Sequence, residues 1–102
     1  MNREKEMTKI ALRALDDKKA MDVKVIDIHE VSVLADYFVI ASGSNQNQVQ
    51  AMVDNVEEML TKAGYEPKQI EGTRNSSWIL MDYGDLIIHV SVSYTHLRAH
   101  ET

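Results

Sequence analysis

The sequence predicts a single α/β domain in which helices pack on a mixed β-sheet, and three observations support this fold class. The chain has 102 residues, of which 44% are hydrophobic and 26% are charged, as is typical of one globular domain. Two segments carry apolar residues at helical spacing, and five others carry patterns typical of strands. No repeat or linker interrupts these segments, so the predicted order is α-β-β-α-β-β-β.

The first helix and the two strands after it follow from residue spacing. One helical face is defined by Met7, Ile10, Ala11, Ala14 and Leu15. Residues 23–28 form a β-branched run that is typical of a strand. Residues 37–41 are apolar at every position, which predicts a central strand buried on both faces.

The second helix has the strongest periodicity in the chain. Its apolar face consists of Val49, Met52, Val53, Val56, Met59, Leu60 and Ala63. The turn at residues 42–45 offers N-capping side chains, Gly64 is a plausible residue after the helix, and Pro67 prevents continuation. Residues 68–71, 78–83 and 86–90 then predict three strands, with Gly84 in the last turn.

Composition excludes several classes of function. Sixteen acidic residues against eleven basic ones give a net charge of -5, which disfavours general nucleic-acid binding and suits a basic protein partner. The absence of cysteine excludes disulfides, thiolate nucleophiles and cysteine-ligated zinc. The sequence shows no apolar run long enough to span a bilayer and no signal-peptide pattern at residues 1–9, so we expect a cytoplasmic protein.

The evidence for catalysis is weak. Gly43 and Ser44 lie between a strand and a helix, where a phosphate could bind at the helix N-terminus. Two-metal nucleotidyl transfer also needs carboxylates close together, yet no Asp-x-Asp follows this turn. Asp82 and Asp85 are separated by a tight turn. A metal-dependent nucleotidyl transferase using these four residues is the alternative function that this arrangement leaves open.

Histidines and methionines add no catalytic site. Apart from those in residues 92–102, the only histidines are His29 and His89, which lack a partner at metal-ligand spacing. Met52 and Met59 fall on the apolar helical face and are core residues by that placement. We therefore expect no metal and no cofactor.

Trp78 is the most informative single residue. Strand alternation places Trp78, Leu80 and Asp82 on one face of residues 78–83. Tyr83 falls on the other face with the core candidates Ile79 and Met81. An exposed tryptophan beside a carboxylate is typical of a protein-binding hot spot. The alternative is that the first helix covers this face and buries Trp78.

Residues 92–102 break the pattern of the chain. They follow neither a helical nor a strand period, and every residue matches the translation of an adaptor used in transposase-based sequencing libraries. We therefore expect residues 1–91 to be the domain, with its C-terminus missing, and residues 92–102 to be a non-native tail. Removing this tail leaves the net charge unchanged, because it contains one arginine and one glutamate.

Several motifs together resemble the Iojap family, whose bacterial members are ribosomal silencing factors. They are Asp17-Lys18-Lys19-Ala20, the stretch 36–40, the turn 42–44, Glu71-Gly72, the stretch 78–85, and His89-Val90. The resemblance covers residues 7–90, and the block from Trp78 to Val90 is its most specific part. The family pattern has phenylalanine after His-Val, whereas this chain has Ser91, a departure that the adaptor sequence would explain.

The resemblance implies a nucleotidyltransferase-like fold without the catalytic carboxylates, and a non-enzymatic function. It implies that the chain binds the large ribosomal subunit through the basic protein number fourteen of that subunit. The bound chain would then sterically block joining of the small subunit when nutrients are short. By motif, the partner-binding residues would be Trp78, Leu80, Asp82, Tyr83 and Asp85. A homodimer off the ribosome is also expected.

An alternative function and an alternative binding surface remain open. An RNA-binding module is disfavoured by the charge and by the few basic-aromatic clusters. If the strand at residues 78–82 does not make the contact, the outer side of the second helix around Asp54, Glu57 and Glu58 is the next candidate surface.

Overall fold

The computed structural model describes residues 3–28, 30, 35–72 and 76–93, with α1 side chains described from Lys5 onward. Its elements are α1 (Arg3–Asp17), β1 (Met21–Asp27), β2 (Tyr37–Gly43), α2 (Gln46–Lys62), β3 (Gln69–Glu71), β4 (Trp78–Asp82) and β5 (Leu86–Val92). The predicted order of elements is confirmed, and each predicted strand boundary lies within two residues of the observed one.

The five strands form one mixed sheet in the order β1-β2-β5-β4-β3. Strands β2 and β5 are parallel, while the other neighbouring pairs are antiparallel. Strand β2 is an inner strand, as expected, but the prediction that both its faces are buried is wrong. Val39 and Ala41 are fully buried under the helices, whereas Phe38 and Ile40 on the opposite face are only half-buried.

The hydrophobic core lies between the two helices and one face of the sheet. The helices contribute Met7, Ala11, Ala14, Leu15, Val49, Met52, Val53, Val56 and Leu60, and the sheet contributes Val39, Ala41, Ile79, Met81, Leu86, Ile88 and Val90. Met52 is therefore a core residue, as expected, and Met59 packs at the edge of the core. The fold has two layers, with both helices on the same side of the sheet.

Side-chain amides on α2 bind the C-terminal end of α1. The Asn55 side-chain amide donates to the Ala14 carbonyl at 2.9 Å, and the Gln48 amide donates to the carbonyls of Lys18 and Lys19 at 3.0 Å each. The Ala14 carbonyl belongs to the last turn of α1, whose carbonyls lack an intrahelical partner, and Lys18 and Lys19 lie in the turn that follows the helix. These bonds also fix the position of the start of α2 beside the sheet.

Strand β1 is an exposed edge strand. All seven of its residues are exposed, including Val25 at 42% and Ile26 at 41%. The register with β2 shifts between Met21 and Lys24, which marks a β-bulge where Asp22 has a positive φ of 51°. Bulges of this kind twist an edge strand and reduce its tendency to pair with other chains.

The predicted domain end at residue 91 falls inside a strand. Val92 belongs to β5, where its backbone N–H donates to the Ser77 carbonyl at 2.8 Å, and Ser93 donates to the Gly43 carbonyl at 2.8 Å. Residues 94–102 lie outside the described residues. The assignment of residues 92–102 to an adaptor stays a prediction, which sequencing of unamplified genomic DNA tests.

No helix in the described part of the chain has the length and apolar character that crossing a bilayer requires.

Candidate partner-binding face

The side of the sheet opposite the helices, here called the open face, presents three rows of side chains that cross the strands. The first row reads Ile26, Phe38, Ile87, Asp82 and Gln69 from β1 to β3. The second reads Lys24, Ile40, His89, Leu80 and Glu71. The third consists of Ser42, Ser91 and Trp78. The middle of this face is apolar, and its charged groups lie mainly toward the outer strands.

Trp78 lies on the open face and is 41% exposed, and neither α1 nor α2 covers it. This placement decides between the two interpretations of the residue, since the core and both helices lie on the other side of the sheet. The indole ring stacks on the imidazole of His89, with ring centroids 5.9 Å apart and planes inclined by 26°. An exposed aromatic ring that is held by a neighbour suits a binding anchor.

Strand β3 ends before it reaches the level of Trp78, so β3 does not pair with this residue. Strand β3 pairs with β4 only from Asp82 to Leu80, and Gly72 then turns the chain with a φ of +100°. A Cβ atom at Gly72 would lie 2.5 Å from the Trp78 carbonyl oxygen, so no larger residue fits there without backbone movement. The Glu71-Gly72 motif therefore shapes the border of the open face.

Carboxylates lie near the β4–β5 turn. Asp82 is half-buried on the open face, and its Oδ1 accepts a hydrogen bond from the Gly84 backbone N–H at 2.8 Å. Asp85 is half-buried in the same turn, and its backbone carbonyl accepts bonds from Asp36 and Tyr37 at the start of β2. Glu71 is exposed in the next row. These groups place negative charge beside the apolar rows, which suits a basic partner.

Tyr83 is separated from the other motif residues. Its side chain is 4% exposed and lies in the core on the helix side of the sheet. Its hydroxyl is buried and has no hydrogen-bond partner among the described residues, and burial together with the Glu57 carboxylate raises the pKa of the phenol above its usual range. Trp78, Leu80 and Asp82 therefore share one surface, whereas Tyr83 supports the strand from behind.

The residues of the alternative nucleotidyl transferase site are at opposite ends of the sheet. Gly43 pairs with Val92 at one end of the β2–β5 ladder, while Asp82 and Asp85 lie at the other end, where Tyr37 pairs with Leu86. Six residue steps along a strand separate these ends, a distance of about 20 Å. One bound nucleotide phosphate could not contact both sets, so the geometry does not assemble this site.

The Gly-Ser turn has a structural explanation instead. A Cβ atom at Gly43 would lie 3.1 Å from the Val49 side chain and 3.3 Å from the Met52 sulfur, so glycine allows α2 to pack closely on β2. Asn45 caps α2 as predicted, accepting a bond from the Gln48 N–H at 2.8 Å. Ser44 donates from its backbone N–H and its hydroxyl to Gln48 Oε1. The helix N-terminus therefore uses its own side chains as partners.

Sequence reasoning missed four half-buried residues on the open face: Phe38, Ile40, Ile87 and His89. Phe38 and Ile40 were not predicted to be on an open face, because the continuous apolar run at residues 37–41 fits a strand that is buried on both faces as well as a strand with one apolar face uncovered. The signal that could have found Ile87 and His89 is the alternation along β5, where Leu86, Ile88 and Val90 point the other way.

The fold defines a class of protein: a two-layer α/β domain in which the described helices cover one face of a mixed sheet and leave apolar side chains on the other. The family model described as "Ribosomal silencing factor during starvation" matches residues 1–94, and the chain belongs to this family. The family gives the chain a ribosome-associated role in silencing translation. The resemblance drawn from the motifs around Trp78 and His89 is thereby confirmed.

Relatives and a solved structure agree with this assignment. The chain is 38% identical over 87 residues to ribosomal silencing factor RsfS of Bacillus subtilis, covering 85% of this chain and 74% of that protein. The crystal structure of protein CV0518 from Chromobacterium violaceum superimposes with a TM-score of 0.84 at 32% identity, covering 89% of this chain and 76% of that one. A mouse protein named mitochondrial assembly of ribosomal large subunit protein 1 is 32% identical, covering 79% of this chain and 37% of that protein.

Proposed function

We propose that this chain represses translation by binding the large ribosomal subunit with its open face. The contact is to protein number fourteen of that subunit, and the bound chain occupies the surface that the small subunit would cover. The block is steric and acts when nutrients are limiting. The protein performs no catalysis in this proposal, since its residues serve only to bind.

The observation that carries the proposal is an apolar sheet face that the two described helices leave uncovered. Trp78, Ile40, Leu80 and Phe38 lie on the side of the sheet that no described helix covers. Contiguous apolar surface of this kind marks interaction sites in soluble proteins. The family name places the partner on the ribosome, and the name of the mouse relative refers to the large subunit.

Charge supports a basic protein as the partner. The chain carries a net charge of -5, and Asp82 and Glu71 lie next to the apolar rows. Opposite charge across an interface raises the association rate and disfavours wrong partners. Ribosomal RNA, which is anionic, would be repelled by the same groups, so a protein of the subunit fits the open face better.

Sucrose-gradient sedimentation of purified ribosomal subunits tests this proposal. We expect the protein to sediment with large subunits and not with small ones, and to reduce the fraction of joined ribosomes when added first. Co-sedimentation with small subunits alone, or unchanged joining at saturating protein, would contradict it.

Off the ribosome, sedimentation of the purified chain across a range of concentrations tests the homodimer that the resemblance implies.

A further inference from the structure

The stacked pair Trp78 and His89 has an unusual position on the open face. Strand β4 has a pairing partner on both sides at Leu80 but only β5 beside Trp78, because β3 ends at Glu71. Trp78 pairs directly with Ser91, which is too small to support an indole ring. The indole ring instead stacks on the imidazole of His89, its diagonal neighbour on β5, with ring centroids 5.9 Å apart.

His89 is the firmly held member of the pair. It is half-buried on the central strand, with Ile40 beside it on β2 and Leu80 beside it on β4. Trp78 is 41% exposed at the first residue of its strand, where only β5 pairs with it. A tryptophan without this support would lose side-chain freedom when a partner bound, and that loss would weaken the complex.

We propose that His89 is a positioning residue whose ring supports the inner face of Trp78 and presents the outer face of the indole to the partner. This inference rests on the proposed function, because it assigns His89 its part in the same contact. The imidazole acts through its flat ring surface, by stacking. An offset-stacked aromatic neighbour stabilises one orientation of the indole before binding, which improves affinity without adding a contact.

The first test uses fluorescence, since Trp78 is the only tryptophan in the chain. Acrylamide in solution quenches an indole in proportion to the ring surface that it can reach, and the His89 ring covers one face of Trp78. The charged groups facing this pair from neighbouring strands are Lys24 on β1, Glu71 on β3 and Asp82 on β4. They are present in every variant and so cancel in the comparison.

We expect acrylamide to quench Trp78 more strongly in His89→Gln than in the parent protein, whereas His89→Phe, which keeps a ring, should be quenched as the parent is. Quenching of equal size in the parent and in both variants would overturn the proposal, because the two rings would then not be in contact in solution.

The second test compares the same two variants in binding to purified large subunits. His89→Phe keeps a flat ring and should bind within about twofold of the parent, whereas His89→Gln keeps polarity without a ring and should bind about 2- to 13-fold more weakly. Stronger binding by the glutamine variant than by the phenylalanine variant would overturn the proposal, since it would indicate a polar contact from His89 to the partner.

The two tests separate this inference from the proposed function. If the parent protein does not bind large subunits but its fluorescence responds to His89 as expected, the stacking stands and the proposed function fails. If Trp78→Ala abolishes binding while both His89 variants bind as the parent does, the proposed function stands and the positioning role fails. Circular dichroism and thermal midpoints of both variants establish that they are folded before binding is compared.

Discussion

Replacing Trp78 with alanine should weaken binding to the large subunit far more than it weakens the fold. The side chain is 41% exposed, which corresponds to about 100 Å² of a residue that offers about 250 Å². Burial of this area against a partner is worth about 2.5 kcal/mol, so its loss should weaken binding about 70-fold. The estimate falls within the range measured for aromatic anchors at protein interfaces, about 2–4 kcal/mol.

Val25 provides a matched control for this change. It is 42% exposed, close to the value for Trp78, but it lies on the helix side of β1. Val25→Ala should therefore bind large subunits as the parent does. Binding of both variants is measured by titrating fluorescently labelled protein with purified large subunits, after circular dichroism and thermal melting have shown that both are folded. A folded Trp78→Ala variant that binds within about threefold of the parent would refute the reasoning.

Three further substitutions, two of them paired with a control variant, test charge, burial and capping. Asp82→Lys should weaken binding, most strongly at low salt, whereas Asp54→Lys on the exposed side of α2 should not; the reverse result would move the contact to α2. Tyr83→Phe removes a buried hydroxyl without a partner, so chemical denaturation at pH 7 should show stability unchanged or raised by up to about 1 kcal/mol. Folding raises the pKa of the Tyr83 phenol, so the stability that the protonated phenol contributes is complete below about pH 10 and falls as the pH rises further. Tyr83→Phe should therefore lose less stability in alkali than the parent protein does. An equal loss in both proteins would contradict this. Asn45→Ala should cost about 1 kcal/mol and lower the thermal midpoint by about 4–8 °C, while Asn45→Asp keeps the cap and should melt near the parent value.

The helices and strands could be predicted because their patterns are local. The apolar spacing from Val49 to Leu60 and the capping residue Asn45 both act within a few turns of chain, and the structure confirms both. Alternation along β4 likewise predicts that Trp78 and Leu80 lie on one face of the sheet and Ile79 and Met81 on the other, as the structure has them.

Which side of the sheet the helices cover could not be predicted, because it depends on how distant segments pack. The run at residues 37–41 fits a strand covered on both faces, and only the placement of α1 and α2 on one side shows that Phe38 and Ile40 face outward. The stack of His89 on Trp78 depends on the register between β4 and β5, which the sequence does not state. For the same reason the separation of Gly43 from Asp82 became visible only with the parallel pairing of β2 and β5.

Site-specific photocrosslinking tests most directly whether the open face makes the ribosomal contact. A photoreactive amino acid is placed at Leu80, which is half-buried at the middle of the open face, and in a separate variant at Asp54, which is exposed on α2. After irradiation with purified large subunits, we expect Leu80 to crosslink to protein number fourteen and Asp54 to give no crosslink to that protein. Crosslinking to that protein from Asp54 and not from Leu80, or from Leu80 only to ribosomal RNA, would contradict the account.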